Sequence, residues 1–315
     1  MKAMVATKFG DSDVLEMQDL DKPEPGAREL LVKVAATSVN PVDYKIRQQG
    51  DNFGLEAPLV LGYDVSGVVE ETGDEVTMFE PGDEVFYTSE IFGAQGCNAE
   101  YHVVEEDIVA LKPDNLTHEE AAAIPLAGGT AWQALMLRGN LCLGDRVLIH
   151  GAGGVGSMAI QIAVAAGAEV YVSCSDYMVE MAQSWGARRV ISYKSEDFAE
   201  MITEETNGEG VDLVFNTVGG DLLTQSIPVT AHFGSLIGIL DPEGSLSGAY
   251  HKNLSIELVF LQRDQMTMQG LRRMALDGQL TPVIDSVVGL EDVPAAHDKL
   301  EKGGVKGKIV VGVNF

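Results

Sequence analysis

Three glycines in the middle of the chain, Gly151, Gly153 and Gly156, have the Gly-x-Gly-x-x-Gly spacing of a dinucleotide-binding loop. An apolar run, Val147–Ile149, precedes them and a helix-compatible run, Ser157–Ala166, follows, which is the strand–turn–helix context that such a loop requires. The first glycine turns the chain tightly, the second lets backbone amides approach a pyrophosphate, and the third lets helix and strand pack closely. The N-terminus of the helix adds free N–H groups and a partial positive charge. The predicted phosphate-binding residues are Gly151, Gly153, Gly154, Val155 and Gly156.

The loop lies in a part of the chain where apolar strands and helices alternate. A Thr-x-x-Glu capping box from Thr117 to Glu120 predicts that a helix begins there. Strands are predicted at Val147–His150, Glu169–Ser173, Val190–Tyr193, Val211–Asn216 and Ser235–Leu240, and helices at Ala131–Leu137, Ser157–Ala166, Met178–Trp185 and Phe198–Glu205. The alternation predicts an α/β fold with a doubly wound parallel sheet that helices cover on both faces.

The first hundred residues have a different character, with short β-branched or aromatic runs such as Leu30–Ala35 and Tyr101–Val104 between proline and glycine turns. They predict an irregular all-β barrel. Beyond residue 262 we predict a return to this barrel, through a helix, a strand, a helix and a last strand at Arg263–Leu276, Thr281–Val288, Val293–Lys302 and Lys308–Val313. We therefore expect one domain from residues 1–118 and 263–315, with a nucleotide-binding domain, 119–262, inserted between its two pieces.

The chain is strongly acidic, because 48 Asp and Glu against 21 Lys and Arg give a formal net charge of −27. A surface of this sign repels phosphate backbones, so nucleic acid is excluded as an expected partner. The acids are spread along the chain and are not gathered in a tail. They form either an ordinary solvated coat or, in the interpretation we prefer, a halophilic adaptation in which concentrated salt screens the self-repulsion.

The three cysteines, Cys97, Cys142 and Cys174, lie far apart in the sequence and form no Cys-x-x-Cys pair. Such a sparse, odd number suits a reducing compartment better than a disulfide framework. The first residues contain no apolar core suited to a signal peptide, and no apolar run approaches the length that spans a bilayer. We therefore expect a cytoplasmic protein with no membrane partner.

Seven short segments, spread from end to end, carry a family resemblance. They are Ser38–Lys45, Leu61–Gly67, Pro81–Val85, Ala127–Ala131, the glycine loop, Asn216–Gly220 and Gly307–Val311. With them the chain resembles the zinc-independent quinone oxidoreductase branch of the medium-chain dehydrogenase/reductase superfamily, and within it the enone and alkenal reductases. The resemblance implies a GroES-like β-barrel catalytic domain, a Rossmann domain and an oxidoreductase that uses a nicotinamide cofactor.

The resemblance also bears on the expected metal content. Zinc-using members of the superfamily carry a cysteine near position 40 and a His-Glu pair near 63–64, where this chain has Asn40, Tyr63 and Asp64. Zinc prefers thiolate and imidazole ligands, so asparagine and tyrosine are poor substitutes. The four-cysteine structural-zinc loop of those members is also missing, since Cys97 stands alone in that part of the chain. We expect no zinc, and a zinc-type alcohol dehydrogenase is a rival interpretation.

Without a metal, the chemistry that fits best is conjugate reduction. Hydride from C4 of the nicotinamide goes to the β-carbon of an α,β-unsaturated carbonyl, negative charge develops on the oxygen, and a proton adds at the α-carbon. The cofactor supplies the hydride, while the protein supplies orientation and a donor for the oxyanion. Lys45 is the candidate donor, because enone reductases that resemble this chain have lysine there. It could instead contact the cofactor ribose or be a surface lysine after a turn.

Four other residues of these segments and one beside the glycine loop are weighed in the same way. Asn40 is a candidate to bind substrate or the cofactor amide, although an asparagine before proline is often a turn former. Tyr63 is a candidate to line the pocket or pass a proton, and pure packing is the alternative. Asp43 and Asp64 are expected to be structural and to accept backbone N–H bonds. His150 is expected to be satisfied within the fold.

The residues after the second and third strands bear on the choice of coenzyme. An NAD site places an acid near the end of the second strand, and Asp176 lies about 20 residues beyond the glycines but past the predicted strand end. By resemblance, NADP-using relatives place a small hydroxyl residue at Ser175 and a tyrosine at Tyr193 around the 2′-phosphate. Both match, so we expect NADPH, with NADH as the alternative.

The positive charge beside that phosphate has to come from elsewhere in this chain. The relatives often carry a lysine or arginine near position 178, where this chain has Met178. Arg188 and Arg189, just before the third strand, are candidates to supply the charge, although arginines at a helix end need no such role. The resemblance implies further cofactor contacts, at Thr130 near the nicotinamide and at Gly219, Gly238, Ile239 and Lys308.

Two rival functions and a predicted homodimer complete the expectations. The same pocket could reduce quinones by hydride or single-electron transfer, or the chain could be a non-catalytic structural protein that keeps the nucleotide fold. The family resemblance implies a homodimer joined through the nucleotide domain. The apolar run Leu254–Leu261 would then be either the edge strand of that interface or a sixth buried strand.

Overall fold

The computed structural model describes residues 1–93 and 95–313, and its chain divides into two compact units. Unit 1 comprises residues 1–126, 262–278 and 282–313, and unit 2 comprises 127–261 and 279–281. The strands in chain order are β1 (Lys2–Ala6), β2 (Leu15–Asp19), β3 (Glu29–Val39), β4 (Leu59–Val60), β5 (Asp64–Thr72), β6 (Glu84–Thr88), β7 (Tyr101–Glu105), β8 (Ala110–Leu111), β9 (Arg146–His150), β10 (Glu169–Cys174), β11 (Arg189–Ser192), β12 (Val211–Asn216), β13 (Thr230–Gly238), β14 (Ser255–Leu258), β15 (Ile284–Gly289) and β16 (Lys308–Gly312).

The α-helices are fewer in unit 1 than in unit 2. In chain order they are α1 (Pro41–Gln49), α2 (His118–Ala122), α3 (Pro125–Trp132), α4 (Gly154–Ala165), α5 (Val179–Ser184), α6 (Phe198–Glu205), α7 (Leu222–Gln225), α8 (Ser247–Lys252), α9 (Gln265–Leu276) and α10 (Val293–Lys302). One turn of π-helix, Gln133–Arg138, continues α3. Helices α6 and α10 have the predicted bounds.

Unit 1 is built from two sheets. A three-stranded sheet has the order β2-β1-β4, and a seven-stranded sheet has the order β15-β16-β3-β5-β6-β8, with β7 paired on β3. Strand β3 is central because it pairs with β16, β5 and β7. Its apolar residues are buried along nearly its whole length. The predicted capping box is present at Thr117, whose hydroxyl accepts the Glu120 N–H at 3.2 Å, and α2 packs on β3 and β5. The β-rich character predicted for this part of the chain is confirmed.

Helix α1 corrects the all-β prediction for the first hundred residues. Asn40 has extended backbone, Pro41 occupies the first helical turn, and the Asp43 carboxylate accepts the Asn40 N–H at 2.8 Å. A proline at this position needs no hydrogen-bond acceptor and is already set for the helix. The segment therefore begins a helix and is not merely a turn.

Unit 2 contains the predicted parallel sheet. All six strands run parallel in the order β11-β10-β9-β12-β13-β14, so the chain order reverses beside β9, and ligands bind at such reversals in doubly wound sheets. The side chains of β9, β10 and β12 are nearly all buried. The core includes Leu148, Tyr171, Val214 and Leu236. The α/β fold with a doubly wound sheet is thereby confirmed.

Strand β14 is the sixth strand, but it lies at the edge of the sheet and is not buried. It pairs only with β13 among the described strands, and it has intermediate or exposed side chains. Leu258 is 52% exposed and Phe260, just beyond it, 50%. The interpretation of this run as a buried strand is wrong, because an edge strand has a neighbour on one side only.

The described cysteines are all unpaired; Cys97 and Cys174 are buried and Cys142 is exposed. Within the described residues, every helix is too short or too polar to traverse a lipid bilayer.

Candidate functional site

The glycine loop, residues 151–156, joins β9 to α4. Gly151 has a φ of +94°, and its N–H donates to Ser173 O at 2.8 Å, which fixes the loop to β10. A Cβ on Gly156 would lie 2.1 Å from Gly151 O, whereas a Cβ on Gly153 would meet nothing within 4 Å. Gly151 and Gly156 are therefore required by the turn and by close packing, and Gly153 keeps one face of the loop open.

The amino end of α4 opens onto the same loop. Gly153 is the N-cap and makes no side-chain capping bond, and the first turn of the helix contains no acidic residue. The first amides of a helix have no acceptor within it and carry the positive end of its dipole. The amides of Gly154, Val155 and Gly156 beside the open face of Gly153 therefore fit an anion such as a pyrophosphate.

Three more predicted contacts gather around the end of β12, at the same edge of the sheet. Asn216 Oδ1 accepts the N–H groups of Val218 at 2.9 Å and of Gly219 at 3.1 Å. Gly219 has a φ of +91°. Gly238 is the register partner of Asn216 in β13, and the Ile239 N–H donates to Asn216 O at 3.4 Å. The structure thus brings Gly219, Gly238 and Ile239 to the edge where the glycine loop leaves β9.

Four residues that follow β10 and β11 form a second polar group at this edge, which we call the β10–β11 edge: Ser175, Asp176, Tyr193 and Lys194. The Ser175 and Tyr193 hydroxyls are hydrogen-bonded at 2.9 Å. Each of these residues is followed by a charged one, and Lys194 Nζ lies 3.5 Å from Asp176 Oδ2. Asp176 also accepts the hydroxyl of Ser192, which lowers the pKa of its carboxyl. The predicted hydroxyl pair is therefore present, with a carboxylate and an ammonium beside it.

The backbones of the arginines considered for the 2′-phosphate lie at the opposite edge of the sheet. Arg188 precedes β11 and pairs with Glu169 at 3.5 Å, whereas Arg189 is the first residue of β11 and pairs with Glu196, which follows the strand. Their backbones therefore lie opposite to Tyr193, but the Arg189 guanidinium shares the Glu196 carboxylate with the Ser192 N–H at the other end of the strand. Met178 is 2% exposed and belongs to the core. Both guanidinium groups are paired with carboxylates, and the suggestion that Arg188 or Arg189 supplies the missing charge stays a prediction.

Thr130 and His150 lie deeper in the fold. Thr130 belongs to α3 and is 6% exposed, and its contact with the nicotinamide stays a prediction. The ring Nε2 of His150 is 2.8 Å from Ser226 Oγ, and the ring packs edge-on against Phe198. Burial lowers the pKa of His150 to about 4. The expectation that His150 is satisfied within the fold is met at Nε2 only, because Nδ1 has no hydrogen-bond partner among the described residues.

Unit 1 holds a buried polar group, the Asp64 cluster, which consists of Ser38, Asn40, Asp64 and Lys308. Asp64 is fully buried at the start of β5. Its Oδ2 accepts from the Ser38 hydroxyl, from Asn40 Nδ2 at 2.8 Å and from Lys308 Nζ at 3.1 Å, and its Oδ1 accepts the Leu126 N–H at 2.6 Å. A buried ion pair is tolerated when further hydrogen bonds satisfy both charges, as they do for this carboxylate.

The Asp64 cluster uses every polar atom of the Asn40 side chain. Asn40 Oδ1 accepts from the Lys308 ammonium, while its Nδ2 donates to Asp64 and to Ser38 O. Asn40 is 2% exposed and Lys308 4%. In this state neither the predicted substrate contact of Asn40 nor the predicted cofactor contact of Lys308 has a free, exposed group.

Asp43 and Tyr63 pack beside this cluster. Burial raises the pKa of the Asp43 carboxyl to about 7, although the hydrogen bond from the Asn40 N–H lowers it. Tyr63 is fully buried, its hydroxyl has no hydrogen-bond partner among the described residues, and burial raises its pKa well above the usual range. The expectation that Asp43 and Asp64 accept backbone N–H bonds is confirmed, at Asn40 and Leu126.

Lys45 differs from the other two catalytic candidates because its side chain is exposed. It lies on α1, two residues beyond the buried Asp43 and one before the buried Ile46. The helix therefore fixes its backbone while the ammonium remains in solvent. Of Lys45, Asn40 and Tyr63, this is the side chain that can meet a small molecule without a rearrangement.

The positions that hold zinc ligands in other members of the superfamily are occupied by different residues here. Asn40 and Asp64 both bond the Lys308 ammonium. Within residues 1–93 and 95–313, His, Cys, Asp and Glu side chains nowhere form a group of three that could hold a metal ion.

Sequence reasoning missed two features of these sites. It did not connect Lys308 to Asp64, since the two residues are 244 positions apart and no local pattern relates them. It also passed over Lys194, although a signal was present, because this lysine directly follows Tyr193 at the carboxyl end of a predicted strand.

Comparison with known proteins agrees with this architecture. Residues 26–114 match the alcohol dehydrogenase GroES-like domain, and residues 185–311 match the zinc-binding dehydrogenase family. A quinone oxidoreductase from Coxiella burnetii has a similar structure, with a TM-score of 0.88 at 33% identity over 100% of this chain and 99% of that chain.

Two curated relatives cover nearly the whole chain. The chain is 32% identical to a mitochondrial NAD(P)H oxidoreductase of Homo sapiens over 99% of its own length and 89% of the relative. It is 33% identical to 2-methylene-furan-3-one reductase of Solanum lycopersicum over 99% of its length and 79% of the relative. With the glycine loop, the doubly wound sheet and the GroES-like unit, these matches show that the chain belongs to the medium-chain dehydrogenase/reductase superfamily and is an oxidoreductase that uses a nicotinamide cofactor.

Proposed function

We propose that this protein is an NADPH-dependent reductase that transfers hydride to quinones or to the C=C bond of α,β-unsaturated carbonyls, without a zinc ion. The observation that carries the proposal is the glycine loop at the strand-order reversal, where an open Gly153 face meets the free amides of α4. The substrate class is supported by relatives named as a quinone oxidoreductase and as a furanone reductase.

The preference for NADPH is supported by the β10–β11 edge. A ribose 2′-hydroxyl is held by an acid that presents a free carboxylate, but Asp176 is already bonded to Ser192 and paired with Lys194. The Ser175 and Tyr193 hydroxyls stand beside it and can donate to a phosphate. The edge therefore suits a 2′-phosphate better than a hydroxyl.

The absence of zinc is supported by what fills the Asp64 cluster. Asp64 and Asn40 are bonded by an ammonium group, which supplies the positive charge that a metal would otherwise bring. A cation entering there would be repelled by Lys308 and would have to displace it from a buried carboxylate, a large cost in a site of low polarity.

The chemistry follows from these parts. A bound nicotinamide supplies the hydride at C4. The protein then has to hold the acceptor in line and stabilise the negative charge that develops on its oxygen. We propose the exposed Lys45 ammonium for that donor. One well-placed donor of this kind contributes on the order of 3–4 kcal/mol to lowering the barrier.

We propose supporting roles for Asn40 and Tyr63, whose side chains are buried. Asn40 joins the first turn of α1 to Lys308 and Asp64. It therefore acts as a positioning residue for the helix that carries Lys45. Tyr63 is fully buried near Asp43, and burial first and the Asp43 charge second raise the pKa of its hydroxyl.

The experiment that tests the proposal is steady-state kinetics with a simple enone and with a naphthoquinone, each with NADPH and with NADH. We expect turnover with NADPH and a higher kcat/KM for NADPH than for NADH. A radical trap present during quinone turnover separates hydride transfer from single-electron transfer. A tenfold preference for NADH would overturn the coenzyme assignment, and zinc retained after dialysis against a chelator would overturn the metal-free mechanism.

We also propose a cytoplasmic homodimer joined through the β14 edges of two nucleotide domains. The exposed Leu258 and Phe260 on and beyond that edge support it, because an exposed edge strand with apolar side chains is suited to pairing with a second copy. Sedimentation at several protein concentrations tests this assembly, and a monomer throughout would contradict it.

A further inference from the structure

We infer that Lys194 is the residue that selects the phosphorylated coenzyme, and that Asp176 serves as its resting partner and not as an acceptor for ribose hydroxyls. The inference rests on the proposed function, since it assigns a subsite to the proposed coenzyme. It is carried by the register of β10 and β11 and by the partners of the four side chains at their ends.

The two strands bring the relevant residues together in successive pairs. Cys174 and Ser192 are register partners at the ends of the parallel strands. The next pair, Ser175 and Tyr193, is joined through its hydroxyls at 2.9 Å. The pair after that, Asp176 and Lys194, is joined by an ion pair at 3.5 Å. The ammonium therefore lies one residue beyond the two hydroxyls, at the edge where the glycine loop begins.

The alternative sources of positive charge at this place are used elsewhere. Arg189 is paired with Glu196 and Arg188 with Glu169, and Met178 is a core residue. Lys194 is 58% exposed, so its long side chain is free to turn. Among the described residues that end β10 and β11, it supplies the positive charge.

The ion pair with Asp176 is easily exchanged for a stronger one. An exposed pair at this distance contributes little to stability, and a doubly charged phosphate attracts an ammonium more strongly than a single carboxylate does. Asp176 does not become unpaired when Lys194 turns away, because the Ser192 hydroxyl still donates to it. With NADH there is no phosphate to draw Lys194 away, and the carboxylate remains held by both partners.

The test is to measure dissociation constants by calorimetry for the unaltered protein and for K194Q, K194R and D176N. The probes are NADPH, NADH, adenosine 2′,5′-bisphosphate and adenosine 5′-monophosphate. We expect K194Q to weaken NADPH and the bisphosphate about tenfold to a hundredfold while NADH and the monophosphate change less than twofold. K194R keeps the charge and should restore most of the affinity. K302Q removes an exposed lysine of unit 1 and serves as the control for net charge.

The D176N variant separates the two roles of the acid. We expect it to leave NADH binding within twofold and to leave NADPH binding equal or tighter, because Lys194 is released. Weaker NADH binding in D176N would show that the acid holds the ribose, and unchanged NADPH binding in K194Q would show that Lys194 does not read the phosphate. Either result overturns the inference. If the unaltered protein binds neither NADPH nor NADH, the proposed function itself fails, which is a different outcome.

Discussion

The Asp64 cluster of unit 1 and the nucleotide edge of unit 2, by which we mean the glycine loop together with the β10–β11 edge, use polar groups in opposite ways. In the cluster, a buried carboxylate, amide and ammonium bond one another, and each side chain is at most 4% exposed. At the nucleotide edge, the amides that begin α4 and the face of Gly153 are open, and Asp176 and Lys194 are each 58% exposed. Buried polar groups that hydrogen-bond one another stabilise a fold, whereas exposed polar groups can bind a ligand.

The largest effect should come from breaking the cluster. Asp64→Ala removes the acceptor of four hydrogen bonds and leaves Lys308 with a buried, unpaired charge. We expect the free energy of unfolding to fall by about 3–5 kcal/mol, because one partner of a buried ion pair is lost. Denaturant unfolding measures the loss. Asp114→Ala, which removes an exposed carboxylate, should change stability by less than about 0.5 kcal/mol and is the matched control.

The next effect should appear in catalysis and not in folding. Lys45→Ala removes an exposed ammonium from α1, so we expect kcat to fall on the order of a hundredfold to a thousandfold with little change in the affinity for NADPH. Lys8→Ala, another exposed lysine, should leave kcat unchanged. Equal turnover in the Lys45 and Lys8 variants would remove Lys45 from the mechanism.

A smaller change tests whether the glycine loop is open for a ligand or only for packing. Gly153→Ala adds a Cβ that meets no protein atom within 4 Å, so we expect an unchanged melting temperature but at least about tenfold weaker NADPH binding, because the methyl group occupies the pyrophosphate face. Gly156→Ala should instead destabilise the protein, because its Cβ would lie 2.1 Å from Gly151 O. Full NADPH affinity in Gly153→Ala would contradict the assigned role of the loop.

The smallest effect should come from salt, which screens exposed charges much more than buried ones. With a net charge of −27, screening should relieve repulsion across the surface, and we expect the melting temperature to rise between dilute and molar KCl. The destabilisation by Asp64→Ala should be similar at both salt concentrations, because a buried pair is screened much less. A melting temperature that does not respond to KCl would remove the halophilic interpretation.

The parts of this account that could be predicted from the sequence are those that local patterns determine. The glycine loop, the capping box at Thr117 and the bounds of α6 and α10 depend on residues close together in the chain. Helix α1 was missed because Asn40-Pro41 indicates a turn and a helix start equally well. The Asp64 cluster was missed because it joins β5 to β16 across 244 residues.

Strand direction also bears on the predictions made for the β10–β11 edge. The predicted third strand was nearly right, but Arg188 and Arg189 were considered for a site at its other end. Residues before a parallel strand lie opposite to those after it, and both arginines are already paired with carboxylates, so their proximity in sequence to the strand does not by itself place them at the phosphate. Ser175 and Tyr193, which follow their strands, came together as the family resemblance implied.

Calorimetric titration of the purified protein with NADPH and with NADH tests the central claim most directly. The account predicts one binding site per chain, with NADPH bound more tightly than NADH, and a loss of that difference in K194Q. Absence of binding by either coenzyme would contradict the claim that the glycine loop of unit 2 holds a nicotinamide dinucleotide for hydride transfer.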